Sequence, residues 1–202
     1  MTGSGCPCGL YLGLYLGLYL GLNPGPRARS AAPGLSSGPR SARHHATLSM
    51  NAAPDLHPWA RITCEVNPLV SLGDTPAGER RFVALGGGTV EGPGLRGSVV
   101  EGGVDWQWRR ADGVLEIAAH YVLRASDGGL IEVRSEGLRH GRAEVMAALA
   151  RGEAVPASDY FFRTFVRFTT GAPAWLHLNR TMAIAVGQRE AQRVVLDLFS
   201  LG

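Results

Sequence analysis

The segment VLEIAAHYVLRASDGGLIEVRSEG, residues 114–137, restricts the fold more than any other part of the sequence. Its first half is apolar at every second residue, which is the period of a β-strand; these positions are Leu115, Ile117, Ala119, Tyr121 and Leu123. Its two halves are joined by Asp127-Gly128, a dipeptide that accepts the positive φ of a tight hairpin turn. The segment therefore predicts two antiparallel strands joined by a short turn.

Short strand-like segments of the same kind continue along most of the chain. They are WARITCEV, RFVALGGGTVEG, LRGSVVEGG, VDWQWRR, YFFRTFVRFTTG, AWLHLN, TMAIAVG and RVVLDLFSL. Only Arg142 to Glu153 has a convincing helical pattern, with Gly152 suited to end the helix and Pro156 blocking its extension. About ten strands and one short helix near 142–152 predict an all-β sandwich or barrel.

The first 49 residues differ from the rest. Leu10 to Leu22 repeats Leu-Tyr-Leu-Gly and is too short for a bilayer core, which needs about 20 apolar residues. Its length suits a signal peptide, but the first basic residue, Arg27, comes after it. Asn23 to His45 has a low-complexity, disorder-prone composition. We expect an over-extended start, with the true chain beginning at Met50; a signal or anchor and a disordered tail are the alternatives.

Several motifs together resemble the family called domain of unknown function 3237, also known as uncharacterised protein family 0311. In order, they are LGGGTVEGPGLRG, GGVDWQW, AHYVLRASDGGLIEV, EGLRHG and YFFRTFVRFTTGAPAWLHLNRT. The resemblance covers about Trp59 to Leu201 and implies a closed, lipocalin-like antiparallel barrel over residues 50–202. It implies no particular activity and no cofactor. One position departs from the family pattern, because Ala118 stands where family members often carry an acidic residue.

Other motifs exclude several functional classes. Gly92 to Val99 has the letters of a kinase glycine-rich loop, but the chain has no lysine to pair with the phosphates and all 20 of its basic residues are arginine. The histidines show no metal-ligand spacing, so we expect no metal site. A net charge of +3, with arginines that alternate with acids, does not favour nucleic-acid binding. No membrane partner is expected, and we predict a cytoplasmic location.

Strand faces give the strongest indication of a binding site. In Tyr160 to Phe168, Arg163 lies on the same face as Phe161 and Phe165, where a solvent-facing strand would carry simpler polar residues. We expect Arg163 to face a cavity and to clamp a carboxylate, with Trp106 or Tyr121 within reach of the ligand. A structural arginine on the outer surface is the alternative. The candidate ligand-binding residues are Trp106, Arg163, Trp175 and Asn179. No catalytic residue is identified; the candidates are Glu91, Asp105, Tyr121 and Tyr160.

These features support two functional hypotheses. In the first, the cavity binds a small apolar or carboxylate-bearing ligand, and acid–base residues give it a cofactor-free isomerase, cyclase or lyase activity. In the second, the protein is a non-enzymatic binding or assembly module that forms a homodimer through its aromatic strands. Titratable groups converging in a cavity would favour the first hypothesis, and a flat apolar outer patch would favour the second.

Shortening the chain to begin at Met50 should leave the melting temperature unchanged, because residues 1–49 are expected to bury no core. The two chain lengths can be compared by differential scanning calorimetry. A drop of more than a few degrees in the shorter chain would show that the N-terminal residues pack on the domain.

Overall fold

The computed structural model describes residues 51–202, so the expectations about residues 1–49 lie outside the described residues. This part of the chain forms nine strands: β1 Leu56–Val66, β2 Val70–Thr75, β3 Gly78–Glu91, β4 Gly97–Arg109, β5 Leu115–Ala125, β6 Leu130–Gly141, β7 Tyr160–Thr169, β8 Met182–Arg189 and β9 Arg193–Leu201. It also contains the helix α1, Ala143–Ala150, and the 3₁₀ segments Ala157–Asp159 and Pro173–Arg180. None of its helices is long and apolar enough to cross a membrane.

Eight of the strands close into an antiparallel barrel, so the predicted fold class is confirmed. Consecutive strands pair from β3 through β9, and β1 closes the ring by pairing with both β9 and β3. The remaining strand, β2, pairs with β3 alone and forms a hairpin with it.

Closure depends on a glycine bulge in β3. The register between β3 and β4 shifts between Ala84 and Gly88, so the inward positions change from odd numbers at Leu85 to even numbers at Val90. Gly88 has φ 145°, and a Cβ there would overlap the carbonyl oxygen of Thr63. Glycine is therefore needed at this position so that β1 can approach β3 and close the ring.

The two ends of the barrel interior differ in packing. One end and the middle are filled by large apolar side chains at most 2% exposed, among them Ile62, Val90, Leu95, Leu123, Ile131, Leu178 and Leu198. The other end lies where β4 and β6 finish and β5 and β7 begin, and it carries the polar side chains described below. The helix α1 directly follows β6 and buries Val145 and Leu149 in the same core. The interior thus consists of a packed apolar core at one end and in the middle, and a polar chamber at the other end.

One predicted strand is wrong. AWLHLN lies in the 3₁₀ segment Pro173–Arg180, and the described chain has nine strands, which agrees with the expected number of about ten. Trp175 and Leu178 pack towards the core three residues apart, which is the period of a 3₁₀ helix. The α-helix is shorter than predicted and ends before Gly152, whose φ is 80°.

Replacing Gly128 with Val should destabilise the β5–β6 hairpin. Gly128 has φ 87°, and its N–H donates to the carbonyl of Ala125 at 2.9 Å across the turn. A Cβ at this position meets nothing within 4 Å, so the loss should come from backbone strain alone, about 1–3 kcal/mol. The urea midpoints of the wild type, Gly128→Val and Gly128→Asn can be compared. Asn tolerates positive φ and should lose less; equal midpoints for all three would contradict the strain.

Candidate functional site

A small cavity of about 50 Å³ lies inside the polar end of the barrel. Every strand of the closed ring contributes to its wall. Most of the wall is apolar, and its polar side chains are Cys64, Asp105, Gln107, Tyr121, Ser135, Arg139, Thr164 and Arg189. Charged and neutral polar groups therefore converge in a mostly apolar chamber, which is typical of a small-molecule site.

Three buried side-chain atoms without a hydrogen-bond partner line this cavity. They are Asp105 Oδ1, Tyr121 Oη and Arg139 Nε, and residues 51–202 contain no other buried side-chain nitrogen or oxygen of this kind. Leaving such an atom unpaired costs about 1–3 kcal/mol, and more for a charged group. Their concentration in one cavity marks it as the candidate functional site.

Asp105 is held by a short chain of hydrogen bonds. Gln107 Nε2 donates to Asp105 Oδ2 at 2.5 Å, and Arg81 Nε donates to Gln107 Oε1 at 3.1 Å. Although the residue as a whole is half-buried, its carboxyl is deeply enclosed. Burial raises the pKa of Asp105 to about 6, against the opposing effects of Gln107 and nearby arginines. Asp105 can therefore exchange a proton near neutral pH.

Three arginines surround this carboxyl. Arg139 carries its guanidinium over the ring of Phe162, 5.6 Å from the centroid, and burial lowers its pKa to about 10. Burial also lowers the pKa of Arg81 and of Arg189. All three still carry a proton at neutral pH, because an arginine titrates far above it. Arg81 is also paired with Glu79, at 3.5 Å between Nη1 and Oε2, whereas Arg139 and Arg189 form no ion pair within residues 51–202. The positive charge of these two guanidiniums is therefore offset only by Asp105.

Tyr121 completes the constellation from β5. Burial, together with nearby Cys64 and Asp105, raises its pKa well above the usual value. It is therefore a neutral hydroxyl that can donate a hydrogen bond. β4 passes close to it because Gly103 has no side chain: a Cβ there would lie 2.5 Å from Tyr121 Cβ. Burial also raises the pKa of Cys64 to about 11, which keeps it a thiol.

A larger surface cleft adjoins the cavity. It has a volume of about 960 Å³ and shares Val66 and Arg189 with the cavity wall. Its other walls include residues 67–69 after β1, Ala150 at the end of α1, and the 190–193 turn between β8 and β9. Arg189 thus lies between the cavity and the cleft.

The structure separates the four catalytic candidates. Asp105 and Tyr121 both line the cavity. Tyr160 is buried beside it, and its hydroxyl accepts a hydrogen bond from the backbone N–H of Arg189 at 2.8 Å. Glu91 is exposed at the end of β3, away from the cavity wall. The catalytic role of these residues stays a prediction.

The expectation that Arg163 faces the cavity is wrong. The inward face of β7 carries Phe162 and Thr164, so Arg163 lies on the outer face. There its Nη1 donates to the Phe162 carbonyl at 2.8 Å, and its guanidinium lies 5.4 Å from the centroid of the Phe161 ring. Both faces of β7 carry aromatic residues, and therefore polarity alone did not tell the inside from the outside.

The other three ligand-binding candidates also lie outside the cavity wall. Trp106 is on the outer face of β4. Trp175 donates from Nε1 to Asp127 Oδ2 at 2.9 Å, and Asn179 bonds the backbone of Thr170 through its amide. Trp175 and Asn179 thus anchor the Pro173–Arg180 segment. Ala118, where a departure from the family pattern is expected, is exposed on the outer face of β5 and does not line the cavity.

Sequence reasoning missed four residues of the site: Arg81, Gln107, Arg139 and Arg189. A signal was available for three of them, because a strand alternates its faces. Residues an even number of positions apart on a regular strand share a face. By this rule Arg81 lies on the face of Val83, Gln107 on that of Asp105, and Arg139 on that of Val133 and Ser135. Arg189 is the last residue of β8, where the alternation of buried and exposed side chains ends, so the sequence did not indicate which way it faces.

In residues 51–202, no group of three or more His, Cys, Asp or Glu side chains is arranged to hold a metal ion.

A family model described as "Protein of unknown function (DUF3237)" matches residues 54–201. The chain belongs to this family. Among its relatives, a UPF0311 protein of Rhodopseudomonas palustris is 35% identical over 137 residues, which covers 68% of this chain and 90% of the relative. A UPF0311 protein of Clostridium acetobutylicum is 30% identical over 141 residues, covering 69% and 89%. The predicted family resemblance is confirmed.

Several solved structures are similar in fold to the described part of the chain. A protein of unknown function from Rhodopseudomonas palustris has a TM-score of 0.71 at 32% identity, covering 76% of this chain and 100% of that one. A "beta-barrel like protein" from Acinetobacter baumannii has a TM-score of 0.67 at 34% identity, covering 76% and 99%. A structure described as an enzyme from Penicillium herquei has a TM-score of 0.59 at 22% identity, covering 76% and 98%, and this likeness concerns the fold alone.

Replacing Asp105 with Asn should stabilise the protein more at neutral than at acid pH. The pKa of Asp105 is raised from 3.8 in the unfolded chain to about 6 in the folded one, so the folded state favours the protonated form. The stability from this proton is fully present below pH 3.8 and is lost as the pH rises through about 6. Two pKa units correspond to about 3 kcal/mol.

The measurement is urea unfolding of both proteins at about pH 4 and about pH 7.5. The free-energy advantage of Asp105→Asn over the wild type should grow by about 2–3 kcal/mol between these two pH values. Other titrating groups are common to both proteins and cancel in the difference. An advantage that does not change with pH would show that Asp105 titrates normally.

Proposed function

We propose that the barrel binds a small organic acid and that Asp105 transfers a proton on the bound molecule without a cofactor. The observation that carries this proposal is the convergence of Asp105 Oδ1, Tyr121 Oη and Arg139 Nε, three buried atoms without partners, on one cavity. A ligand with acceptor atoms for the hydroxyl and the guanidinium would satisfy two of them and place a C–H or O–H group near the third.

The arginines select the charge of the ligand. Arg139 lines the cavity, its guanidinium lies 5.6 Å from the centroid of the Phe162 ring, and its buried Nε has no hydrogen-bond partner within residues 51–202. Arg189 adds positive charge near the Asp105 carboxyl, while the charge of Arg81 is offset by Glu79. A carboxylate accepts paired hydrogen bonds from a guanidinium, and these bonds strengthen where water is excluded. An organic acid would therefore supply the negative charge that this end of the barrel lacks.

Asp105 and Tyr121 supply the proton chemistry. A carboxyl with a pKa of about 6 is largely ionised at neutral pH, and it is a stronger base than an ordinary aspartate. The neutral Tyr121 hydroxyl can donate to a carbonyl oxygen that gains negative charge when the adjacent carbon loses a proton. Removing such a proton and returning it elsewhere is an isomerisation, and loss of a leaving group from the same anion is a lyase reaction. If a hydroxyl oxygen of the same molecule instead attacks an electrophilic carbon of that molecule and gives its proton to Asp105, the reaction is a cyclisation.

The volumes of the cavity and of the adjoining cleft indicate that they would hold different parts of a ligand. A water molecule needs roughly 10–15 Å³ of such space, so a cavity of about 50 Å³ holds only a compact head of a few atoms. The remainder of a larger molecule would lie in the cleft of about 960 Å³ next to Arg189. The Penicillium herquei protein, described as an enzyme, has the same barrel, so the fold is compatible with catalysis. A cytoplasmic location stays a prediction.

Deuterium exchange tests both parts of the proposal. The protein is incubated in D₂O with short 2-oxo and 3-oxo acids and with their uncharged amides, and loss of the C–H signal beside the carbonyl is followed by NMR. Exchange should be faster for the acids, and kcat/KM should rise with pH through about 6 as Asp105 ionises. Asp105→Asn should lower kcat/KM about 10²–10⁴-fold, the usual contribution of a general base.

Two arginine variants separate the clamp from general charge effects. Arg139→Gln should lower kcat/KM for the acids about 10²-fold and for the amides much less. Arg124→Gln removes the same charge from the exposed outer face of β5 and should change neither. Exchange that is insensitive to both Asp105→Asn and Arg139→Gln would place the chemistry outside this cavity.

A further inference from the structure

Arg189 lies where the cavity meets the surface clefts. It lines the cavity, the cleft of about 960 Å³, and a second cleft of about 500 Å³ beside Val155 and Pro156. No other residue of the described chain borders all three spaces. A ligand that reaches the cavity from either cleft therefore comes next to Arg189.

Hydrogen bonds hold Arg189 at both its backbone and its side chain. Its backbone N–H donates to Tyr160 Oη at 2.8 Å, and its Nη1 donates to the carbonyl of Arg193 at 3.1 Å. Within residues 51–202 its guanidinium makes no other hydrogen bond and no ion pair. A guanidinium has five N–H donors, so most of those of Arg189 are available to a ligand.

The acids of the larger cleft do not offset the charge of Arg189. Glu190 pairs with Arg193 instead, at 2.7 Å between Oε2 and Nη2. Glu65 also lines the cleft, but among the carboxylates of the described chain Asp105 is the one that raises the pKa of Arg189. Arg189 therefore shares the negative charge of Asp105 with Arg139.

Arg139 and Arg189 lie close enough to repel each other. Burial is the main cause of the lowered pKa of Arg139, and the positive charge of Arg189 is the next cause. When Asp105 is ionised, these three side chains together carry one positive charge, and when it is protonated they carry two. The protonated state leaves both guanidiniums without a negative charge to face.

The proton transfer proposed for Asp105 produces a ligand with the matching charge. A bound oxo acid gives the proton of the carbon beside its carbonyl to Asp105, and the electron pair of that C–H bond forms a C=C bond. The carbonyl oxygen becomes an enolate oxygen, so the ligand then carries two negative charges and Asp105 carries none. An enzyme accelerates a reaction by binding such a state more tightly than its substrate.

We propose, building on the proposed function, that Arg189 is a second anion-binding residue and that it holds this dianion together with Arg139. Short dicarboxylates such as oxalate and malonate imitate the dianion, because they place two negative charges on a compact frame suited to a cavity of about 50 Å³. Their monoamides, oxamate and malonamate, have nearly the same size and only one negative charge. The cavity should therefore prefer a short dicarboxylate to its monoamide.

Binding of a dicarboxylate should also be linked to the uptake of a proton. The charged or titratable side chains around Asp105 are Cys64, Arg81, Tyr121, Arg139 and Arg189. The thiol, the phenol and the guanidiniums all keep their protons at neutral pH, so Asp105 alone titrates there. A second negative charge on the ligand raises the pKa of Asp105 above about 6, and the carboxyl therefore takes up a larger share of one proton.

Isothermal titration calorimetry of the full chain at about pH 7 tests both expectations, when each titration is made in two buffers that differ in ionisation enthalpy. Oxalate or malonate should bind at least about tenfold more tightly than its monoamide and should take up more protons. Asp105→Asn should keep the preference for the dicarboxylate, because its amide is neutral like the protonated acid, but it should abolish the proton uptake.

Arg189→Gln should reduce the preference for the dicarboxylate at least about fivefold and leave the dissociation constant of the monoamide within about threefold of the wild type. Arg193→Gln is the matched control, because Arg193 lines the adjoining cleft but is already paired with Glu190, and it should change neither value. This control keeps the backbone carbonyl that accepts the hydrogen bond from Arg189. Melting temperatures within a few degrees of the wild type show that each variant is folded.

Equal or undetectable binding of the dicarboxylate and its monoamide, or equal proton uptake by the two, would overturn the inference without any variant. A preference that survives Arg189→Gln, or that Arg193→Gln removes equally, would also overturn it. The deuterium-exchange experiment tests the proposed function separately. Exchange without a preference for dicarboxylates would contradict the role of Arg189 alone, whereas dicarboxylate binding without exchange would contradict the proton transfer and leave the anion site in place.

Discussion

The structure depends on one close contact between backbones, where β3 crosses β1 at Gly88. A side chain at Gly88 would overlap the carbonyl of Thr63, so the ring closes there only because glycine has none. Closure gives β1 two partners, β3 and β9, so that every strand of the ring is paired on both sides. Within residues 51–202, β2 alone keeps an unpaired edge. Closure also creates an interior, which is the condition for every feature of the candidate site.

The interior combines two incompatible environments. Its apolar end is packed around side chains such as Ile62, Leu123 and Leu178, which are withdrawn from water and stabilise the fold. The polar end holds Asp105, Tyr121 and Arg139 with unpaired buried atoms, which cost stability. A domain can tolerate such a cost only where other contacts offset it, and strained or unsatisfied groups of this kind concentrate at functional sites. The division between the two ends thus connects the stability of the barrel with the chemistry proposed for it.

The outer face of the barrel wall differs from the inner face in its exposure to water. Inside, a residue is surrounded by all the strands of the ring, so charges such as Asp105 and Arg139 lose water and change their pKa. Outside, Arg80 and Arg163 keep contact with water and rest on aromatic rings. Arginines inside the wall are therefore withdrawn from water, whereas arginines on its outer face are not.

The sequence by itself determined the strands and most of their connections. The alternation from Leu115 to Leu123, the Asp127-Gly128 turn and the glycines of β3 are local signals, and each corresponds to an element at that place. It also named four catalytic candidates as possible acids or bases, and two of them, Asp105 and Tyr121, line the cavity. What it did not determine was which face of β7 points inwards. Phe162 and Phe161 are equally apolar, and only pairing with β6 and β8 in a closed ring placed one inside and Arg163 outside. The convergence of Arg81, Gln107, Arg139 and Arg189 was decided by tertiary structure too, since they come from strands distant in sequence that only the closed ring brings together.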